Sequence, residues 1–251
     1  MPFVDKLFET NFIEWASYII KDRAIPDVDD GLKPVQRRIL HSLAEVDDGK
    51  FHKVANIVGN TMKYHPHGDQ SIVGALIILA QKDYLLEKQG NFGNIFTGDE
   101  ASAARYIECR LTDLARDILF NKSITEYVDT YDSRNKEPVV FPAKVPLLLI
   151  LGTEGIAVGM STRILPHNFV EVLEAQITYL KGKKFKLYPD FPTGGQVDVS
   201  EYNDGNGKVL VRSVLDIKDP KRIIIRELPY GYTSESLITS IEDASKKGKL
   251  K

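Results

Sequence analysis

The amino-acid sequence predicts an α+β fold in which a helical part with a helix-turn-helix precedes a part built on antiparallel strands. Three observations carry this reading. Apolar residues recur at helical spacing in four stretches before Lys82. Two of those stretches flank a tight turn, Tyr64-His65-Pro66-His67-Gly68, and helices joined in that way read as a helix-turn-helix. From Gly195 to Leu228, β-branched residues lie between turn signals, the pattern of antiparallel strands.

The elements follow in chain order. Phe3 to Lys21 places Phe3, Leu7, Phe8, Phe12, Trp15 and Ile19 on one face of a helix, which would dock on its own domain or on a partner, its own domain being the expected one. Ile25 to Gly31 is a loop by its Pro, Asp and Gly content, and Asp27, Asp29 and Asp30 read as loop and capping residues. Pro34 suits the first turn of a helix running to about Val46; Lys33, Arg37 and Arg38 lie close together on it and form either a solvated face or a DNA-phosphate contact, the latter being the expected DNA-binding role of Arg37 and Arg38. Lys53 to Lys63 is a further helix with Val54, Ile57, Val58 and Met62 inward. After the histidine turn, Asp69 caps a helix from Gln70 to about Gln81 with Ile72, Leu76 and Leu79 inward. In a helix-turn-helix the second helix enters the groove, so Gln70 and Ser71 at its start would face DNA. Leu85 to Gly98 reads as a candidate wing, Leu111 to Phe120 as a helix, and Ile124 to Phe141 as short strand pieces around the turn Asp132–Asn135.

Composition changes near Pro142, which divides the chain into residues 1–140 and 141–251. Val145 to Leu151 is strand-like and leads into the glycine-rich run Gly152–Gly159, which lacks the Gly-Lys-Ser/Thr ending of a nucleotide loop. A helix then runs to Leu180. Antiparallel strands follow, with turns at Asn203–Gly207 and Asp219-Pro220, and a last helix begins near Ser234 with no evident stop signal.

Composition bounds the function. With 43% hydrophobic residues the chain can bury a substantial core. A formal net charge of −2 gives no global attraction to nucleic acid, so DNA binding must rest on local basic clusters. The single cysteine, Cys109, excludes an internal disulfide and makes a cysteine-based metal site implausible, which fits a reducing compartment. The start, Met1-Pro2-Phe3-Val4-Asp5, has no basic leader, and the apolar run Val145–Leu151 is far too short for a bilayer. A cytoplasmic protein without membrane contact is expected.

The chemistry centres on Arg105-Tyr106. A phenol can attack phosphorus covalently while a neighbouring guanidinium holds the phosphoryl oxygens. Taken alone, the dipeptide is ordinary packing. Its company changes the weighing: Ile25-Pro26-Asp27-Val28, Asp30-Gly31-Leu32-Lys33-Pro34-Val35, Arg37-Arg38, Lys63-Tyr64-His65-Pro66-His67-Gly68-Asp69, Gln89-Gly90-Asn91-Phe92-Gly93, Arg105-Tyr106 and Gly155-Ile156-Ala157-Val158-Gly159-Met160 occur in this order. Together they closely resemble the A subunit of bacterial type IIA topoisomerases, DNA gyrase and topoisomerase IV, over nearly the whole chain.

The resemblance implies a winged-helix DNA cleavage domain with an N-terminal helix over residues 1–140. It implies part of an α/β tower domain over 141–251, ending before the family's coiled coil. Tyr106 matches the tyrosine that takes the 5′ phosphate, and Arg105 the arginine that stabilises the transition state. Arg23, Lys33, His65 and His67 match residues lining the phosphate, and Ile164 matches the isoleucine that wedges between base steps. The turn Gly155–Met160 would present that wedge. A phenol ionises near pH ~10, so nearby cations are needed, and Arg105, His65 and His67 are the sources at hand. No metal site is expected in this chain. The resemblance puts Mg²⁺ and ATP on a partner B subunit in an A2B2 complex with a homodimer of A subunits. It implies an ATP-hydrolysing type IIA topoisomerase, an isomerase, with this chain inactive without the B subunit. The rival reading is a winged-helix DNA-binding module with no chemistry.

The sequence departs from the common pattern at Gln36, at Gln70 and Gly74, and by one extra residue in Ile95–Asp99. In the family a serine and an acidic residue at the positions of Gln70 and Gly74 anchor quinolones through a hydrated Mg²⁺. The region that separates gyrase from topoisomerase IV lies outside these residues.

Overall fold

Helix α1 (Pro2–Ile19) continues into a π-helical turn, Ile20–Ala24, in a computed structural model that describes residues 2–219 and 221–249. The expected docking of α1 on its own domain is corrected: Leu7, Phe8, Phe12, Ile13 and Trp15 are exposed. Its aromatic rings pack on one another instead, Phe8 on Phe12 at 6.4 Å and Phe12 on Trp15 at 6.1 Å. Periodicity identifies the apolar face of a helix but not what covers it.

The chain divides into two compact units, Met1–Gly90 with Ala103–Pro166, and Asn91–Ser102 with His167–Lys251. The compositional change at Pro142 therefore falls inside the first unit. The reason is visible in the packing there. Asp30, fully buried, accepts hydrogen bonds from Arg37 Nε at 2.6 Å and Nη2 at 2.9 Å, from the Leu32 amide at 3.0 Å and from the Phe141 amide at 3.0 Å. One carboxylate thus ties residues 30–37 to a segment more than a hundred residues away. Gly31 makes the approach possible: it sits at φ +68°, and a Cβ there would lie 2.4 Å from the Leu148 amide nitrogen.

Three helices form the core of this unit: α2 (Pro34–Val46), α3 (Val54–Thr61) and α4 (Asp69–Gln81). Pro34 occupies the first position of α2, and the Lys33 amide donates to Gln36 Oε1 at 3.0 Å. Ile39, Leu40, Val54, Ile72, Leu76 and Leu79 are completely buried, each contributing about 1.5–3 kcal/mol. Met62, expected inward, lies beyond the end of α3 and is exposed. The cap of α4 is Gly68 rather than Asp69, and the Ser71 hydroxyl donates back to the Gly68 carbonyl at 2.6 Å. Beside the helices runs an antiparallel sheet of β1 (His52–Lys53), β2 (Leu86–Gln89) and β3 (Glu108–Leu111), in the order β1-β3-β2. On β3, Cys109 and Leu111 point inward, while Arg110 faces out and pairs with Glu87 at 2.8 Å.

After α5 (Asp113–Leu119), β4 (Tyr127–Asp129) and β5 (Lys136–Pro138) form a hairpin. Val145–Leu151 is not a strand: Leu147–Leu151 is a short helix, α6, capped by Pro146. A continuous apolar run does not distinguish a buried strand from a buried helical turn. Lys82 Nζ holds the end of α6 by donating to the Leu151 and Gly152 carbonyls at 2.5 and 3.0 Å. The glycine-rich run is a hairpin, β6 (Thr153–Ile156) with β7 (Ser161–Ile164).

In the second unit, α7 (Phe169–Leu180) starts at Asn168, whose side chain accepts from the Val170 and Glu171 amides. Two antiparallel ribbons follow, β8 (Gln196–Glu201) with β9 (Lys208–Arg212) and β10 (Val214–Asp219) with β11 (Arg222–Glu227). Pro220 of the expected second turn lies outside the described residues. Helix α8 (Ser234–Lys246) is capped by Thr233 and followed by Gly248 at φ +67°, a stop that sequence reading overlooked. The loop at residues 91–102, which includes the later part of the candidate wing Leu85–Gly98, belongs to this unit. Its Phe96 and Thr97 carbonyls accept from the Ser234 and Glu235 amides at the start of α8. The mixed helix and antiparallel sheet make the fold α+β.

Candidate active site

Tyr106 sits on a turn closed by its own amide donating to the Ala103 carbonyl at 2.9 Å. The turn is fastened to the first residues of α3: the Val54 amide donates to the Ile107 carbonyl at 3.0 Å and the Ala55 amide to the Ala104 carbonyl at 3.1 Å. Helix amides at that position have no partner within the helix, so the turn satisfies them and is held in return. Ile107, Cys109 and Leu111 are buried, yet the Tyr106 side chain just ahead of them is 66% exposed. The Arg105 guanidinium lies over the Tyr106 ring, 4.5 Å from its centroid. A large aromatic anchored by buried neighbours but left open to solvent, with a cation on its face, is available to a ligand.

A second cluster forms after the far end of α3. The His65 amide donates to the Thr61 carbonyl at 3.1 Å, which turns the chain back and brings His65 and His67 edge to face at 4.7 Å. The Tyr18 hydroxyl is 2.5 Å from His67 Nε2. Arg38 Nη1 donates to His65 Nδ1 at 3.1 Å, while its Nε and Nη2 donate to Glu137 Oε2 and Oε1 at 2.5 and 2.9 Å. Burial, with Arg38, His67 and Arg23 nearby, pushes the His65 pKa down to about 4, and burial with the same two arginines lowers that of His67. Both shifts favour the neutral imidazole, against the expectation that His65 and His67 serve as cations, and the arginines nearby include the exposed Arg23.

A third group joins the start of α2 to the β6–β7 hairpin. Lys33 Nζ donates to the Glu154 carbonyl at 2.7 Å, and burial lowers its pKa. The hairpin lies so close to the π-helical turn that a Cβ on Gly155 would stand 2.1 Å from the Ala24 carbonyl oxygen. Ile164 is half-buried and pairs with Thr153, so it stands at the opposite end of the ladder from the turn at Ala157–Met160 that was expected to present it. Gln70, Ser71 and Gly74 lie exposed along α4, directly after the histidine turn.

Arg37 does not join any of these groups. It is buried, its guanidinium taken up by Asp30 and by the Leu32 carbonyl at 3.0 Å, so the expected contact with DNA is corrected to an internal ion pair. Sequence reading also missed Glu137, which lies 99 residues from its partner Arg38 and carries no local signal. One chain brings Arg23, Arg38, His65 and His67 together but leaves them at the opposite end of α3 from Tyr106. Eight residues of helix separate the two groups, about 12 Å of axial rise.

Among the described residues, no three or more His, Cys, Asp and Glu side chains are grouped so that they could hold a metal ion. Asp30 is consumed by Arg37 and two amides, and Asp27 Oδ1 accepts from the Asp29 amide. These donors do not fit a divalent cation. Among the described residues, no helix is long and apolar enough to cross a membrane.

Comparison with known proteins gives a consistent result. The family model for the A subunit of DNA gyrase/topoisomerase IV matches residues 23–251. The DNA topoisomerase 4 A subunit of Borreliella burgdorferi is 63% identical over 245 residues, 98% of this chain and 39% of that protein. The DNA gyrase A subunit of Thermotoga maritima is 43% identical over 271 residues, 98% of this chain and 34% of that protein. That of Metamycoplasma arthritidis is 39% identical over 275 residues, 98% of this chain and 30% of that protein. The chain thus spans well under half the length of these relatives.

Proposed function

This chain belongs to the family of DNA gyrase and topoisomerase IV A subunits, and from that premise we propose that it is the DNA breakage-reunion part of a type IIA topoisomerase. Tyr106 is the nucleophile. The phenol releases its proton to solvent, its oxygen attacks a backbone phosphorus, the bond from phosphorus to the 3′ oxygen breaks, and the 3′ oxygen takes a proton from solvent as it leaves. The 5′ phosphate remains on the tyrosine. The diester count is unchanged, so the reverse attack reseals the strand without external fuel. The observation that carries this reading is the exposed Tyr106 under the Arg105 guanidinium, on a turn fixed to the start of α3.

Arg105 stabilises charge on the phosphoryl oxygens as attack develops. Arg23, Arg38 and Lys33 position the backbone, and the neutral imidazoles of His65 and His67 offer N–H donors rather than charge. Helices α3 and α4 with the β1-β3-β2 sheet act as a winged helix, with Gln70 and Ser71 turned to the DNA. The second unit is part of a tower, and Ile164 is the wedge that bends the gate DNA. Two copies of the chain act on the two strands, in an A2B2 complex whose B subunit supplies Mg²⁺ and ATP for strand passage. The chain without that subunit does not relax DNA.

Trapping tests the reading. The chain is mixed with B subunit, DNA and Mg²⁺, denatured with detergent and digested with protease, and protein-linked DNA is measured. Tyr106→Phe removes only the phenolic oxygen, so covalent product disappears while DNA binding stays near native. Protein-linked DNA from that variant would overturn the assignment and leave a DNA-binding module as the better description.

A further inference from the structure

Glu137 has no part in the chemistry above, yet it is a largely buried carboxylate placed against a residue of the site. It is 9% exposed, sits on β5, and pairs across the hairpin with Val128. It occupies two of the three guanidinium nitrogens of Arg38, through the Nε and Nη2 bonds of 2.5 and 2.9 Å. Such a fork-to-fork pair fixes the plane of the guanidinium as well as its position. The third nitrogen, Nη1, is thereby directed at His65 Nδ1, 3.1 Å away.

The chemistry of this contact assigns the tautomer. Arginine has donors only and does not lose its proton, so His65 Nδ1 must accept and the His65 proton must reside on Nε2. We propose that Glu137 is a positioning residue for the cleavage site: by gripping Arg38 it holds His65 as a neutral Nε2–H donor aimed through one nitrogen only. This rests on the proposed cleavage function of the site. The groups facing His65 are consistent with it. They are Arg38 from α2, Arg23 from the π-helical turn and His67 from the histidine turn itself, with Glu137 beyond Arg38. Three of the four oppose a proton on the ring. The single carboxylate is spent on Arg38, so it compensates the guanidinium without drawing a second proton to His65.

The decisive measurement is ¹⁵N NMR of the His65 ring in the 251-residue chain, which needs neither DNA nor B subunit. In the native chain the Nε2–H tautomer should exceed the Nδ1–H form by about tenfold or more, as expected for a charge-assisted bond to Nδ1. The ring should remain neutral until pH falls to about 4. In Glu137→Gln, which keeps the shape but loses the charge and one acceptor oxygen, the tautomer preference should fall to a few-fold. Half-protonation should rise by about one pH unit as Arg38 moves away from the ring. Glu137→Asp, which restores the carboxylate, should recover much of the native signature. Covalent cleavage by Glu137→Gln with B subunit, DNA and Mg²⁺ should drop about 10- to 100-fold, with its acidic limb moved to higher pH.

A native His65 protonated on Nδ1, or a Glu137→Gln ring indistinguishable from native, overturns the proposal. Cleavage by Glu137→Gln within about twofold of native, with the ring altered as expected, overturns the role in cleavage. Should Glu137→Gln fail to fold, Arg38→Lys carries the same test, since a point charge cannot fork and should release the tautomer equally. Absence of covalent product from the native chain would instead count against the cleavage function, whatever the ring shows.

Discussion

The two units treat their apolar and charged residues differently. In the first, α2, α3 and α4 close over side chains such as Ile39, Leu76 and Leu79 that have no solvent access. Its buried charges are spent on one another, Asp30 on Arg37 and Glu137 on Arg38. In the second, each ribbon has only two strands, and β10–β11 leaves Ile217 68% and Ile223 69% exposed. A two-stranded ribbon offers too little surface to bury its apolar face without help. The difference teaches where precise orientation is available. A reacting side chain needs neighbours whose own positions are over-determined, and the packed helices of the first unit supply them.

Three variants probe that contrast, beginning with the largest expected effect. Asp30→Ala strands the Arg37 charge in the core and leaves the Leu32 and Phe141 amides without their acceptor. A loss of about 3–5 kcal/mol is expected in a urea melt. A loss below about 1 kcal/mol would break the claim that this ion pair holds the first unit together.

The outward face of α4 sharpens the comparison within the first unit, because it is open where the inward face is packed. Gly74 has nothing within 4 Å of a Cβ built on it, so Gly74→Glu fits without rearrangement. On the proposed reading, Gln70 and Gly74 stand where the family anchors quinolones through a hydrated Mg²⁺, and they lack the serine and the charged acceptor. A missing charge-assisted bond corresponds to roughly 1.5–3 kcal/mol, or about ten- to hundredfold in affinity. Gln70→Ser with Gly74→Glu should therefore lower the drug concentration needed to trap cleavage complexes by that factor. Equal sensitivity of the native and doubly substituted enzymes would refute this.

The smallest effect is expected in the second unit. Ile217→Ser removes an apolar side chain that is already mostly in water, so stability should change by no more than about 0.5 kcal/mol. A loss of several kcal/mol would mean that the β10–β11 face is covered in solution, and the contrast between the units would fail.

Much of this was legible locally. Pro34 marks the start of α2, and the spacing of Ile72, Leu76 and Leu79 identifies the buried face of α4, because both signals depend only on backbone chemistry and a 3.6-residue period. The Arg105-Tyr106 pair, ordinary by itself, stood out by the motifs around it. Val145–Leu151 reads as a strand but folds as a helical turn, because a uniformly apolar run has no period to read. The stop after α8 was missed although Gly248 supplies it.

Arg37 and Arg38 mark the limit. They are adjacent, identical in type and flanked by similar residues, and the sequence by itself determined only that two cations lie on one helix. The fold turned Arg37 inward onto Asp30 and Arg38 towards Glu137 and His65. It also lowered the pKa of His65 and His67, through burial and through arginines brought from α2 and the π-helical turn. Residue type establishes what a side chain can do. Which partner it meets, and so which charge it carries, depends on contacts between residues as far apart as Arg38 and Glu137, and only the tertiary structure makes those contacts.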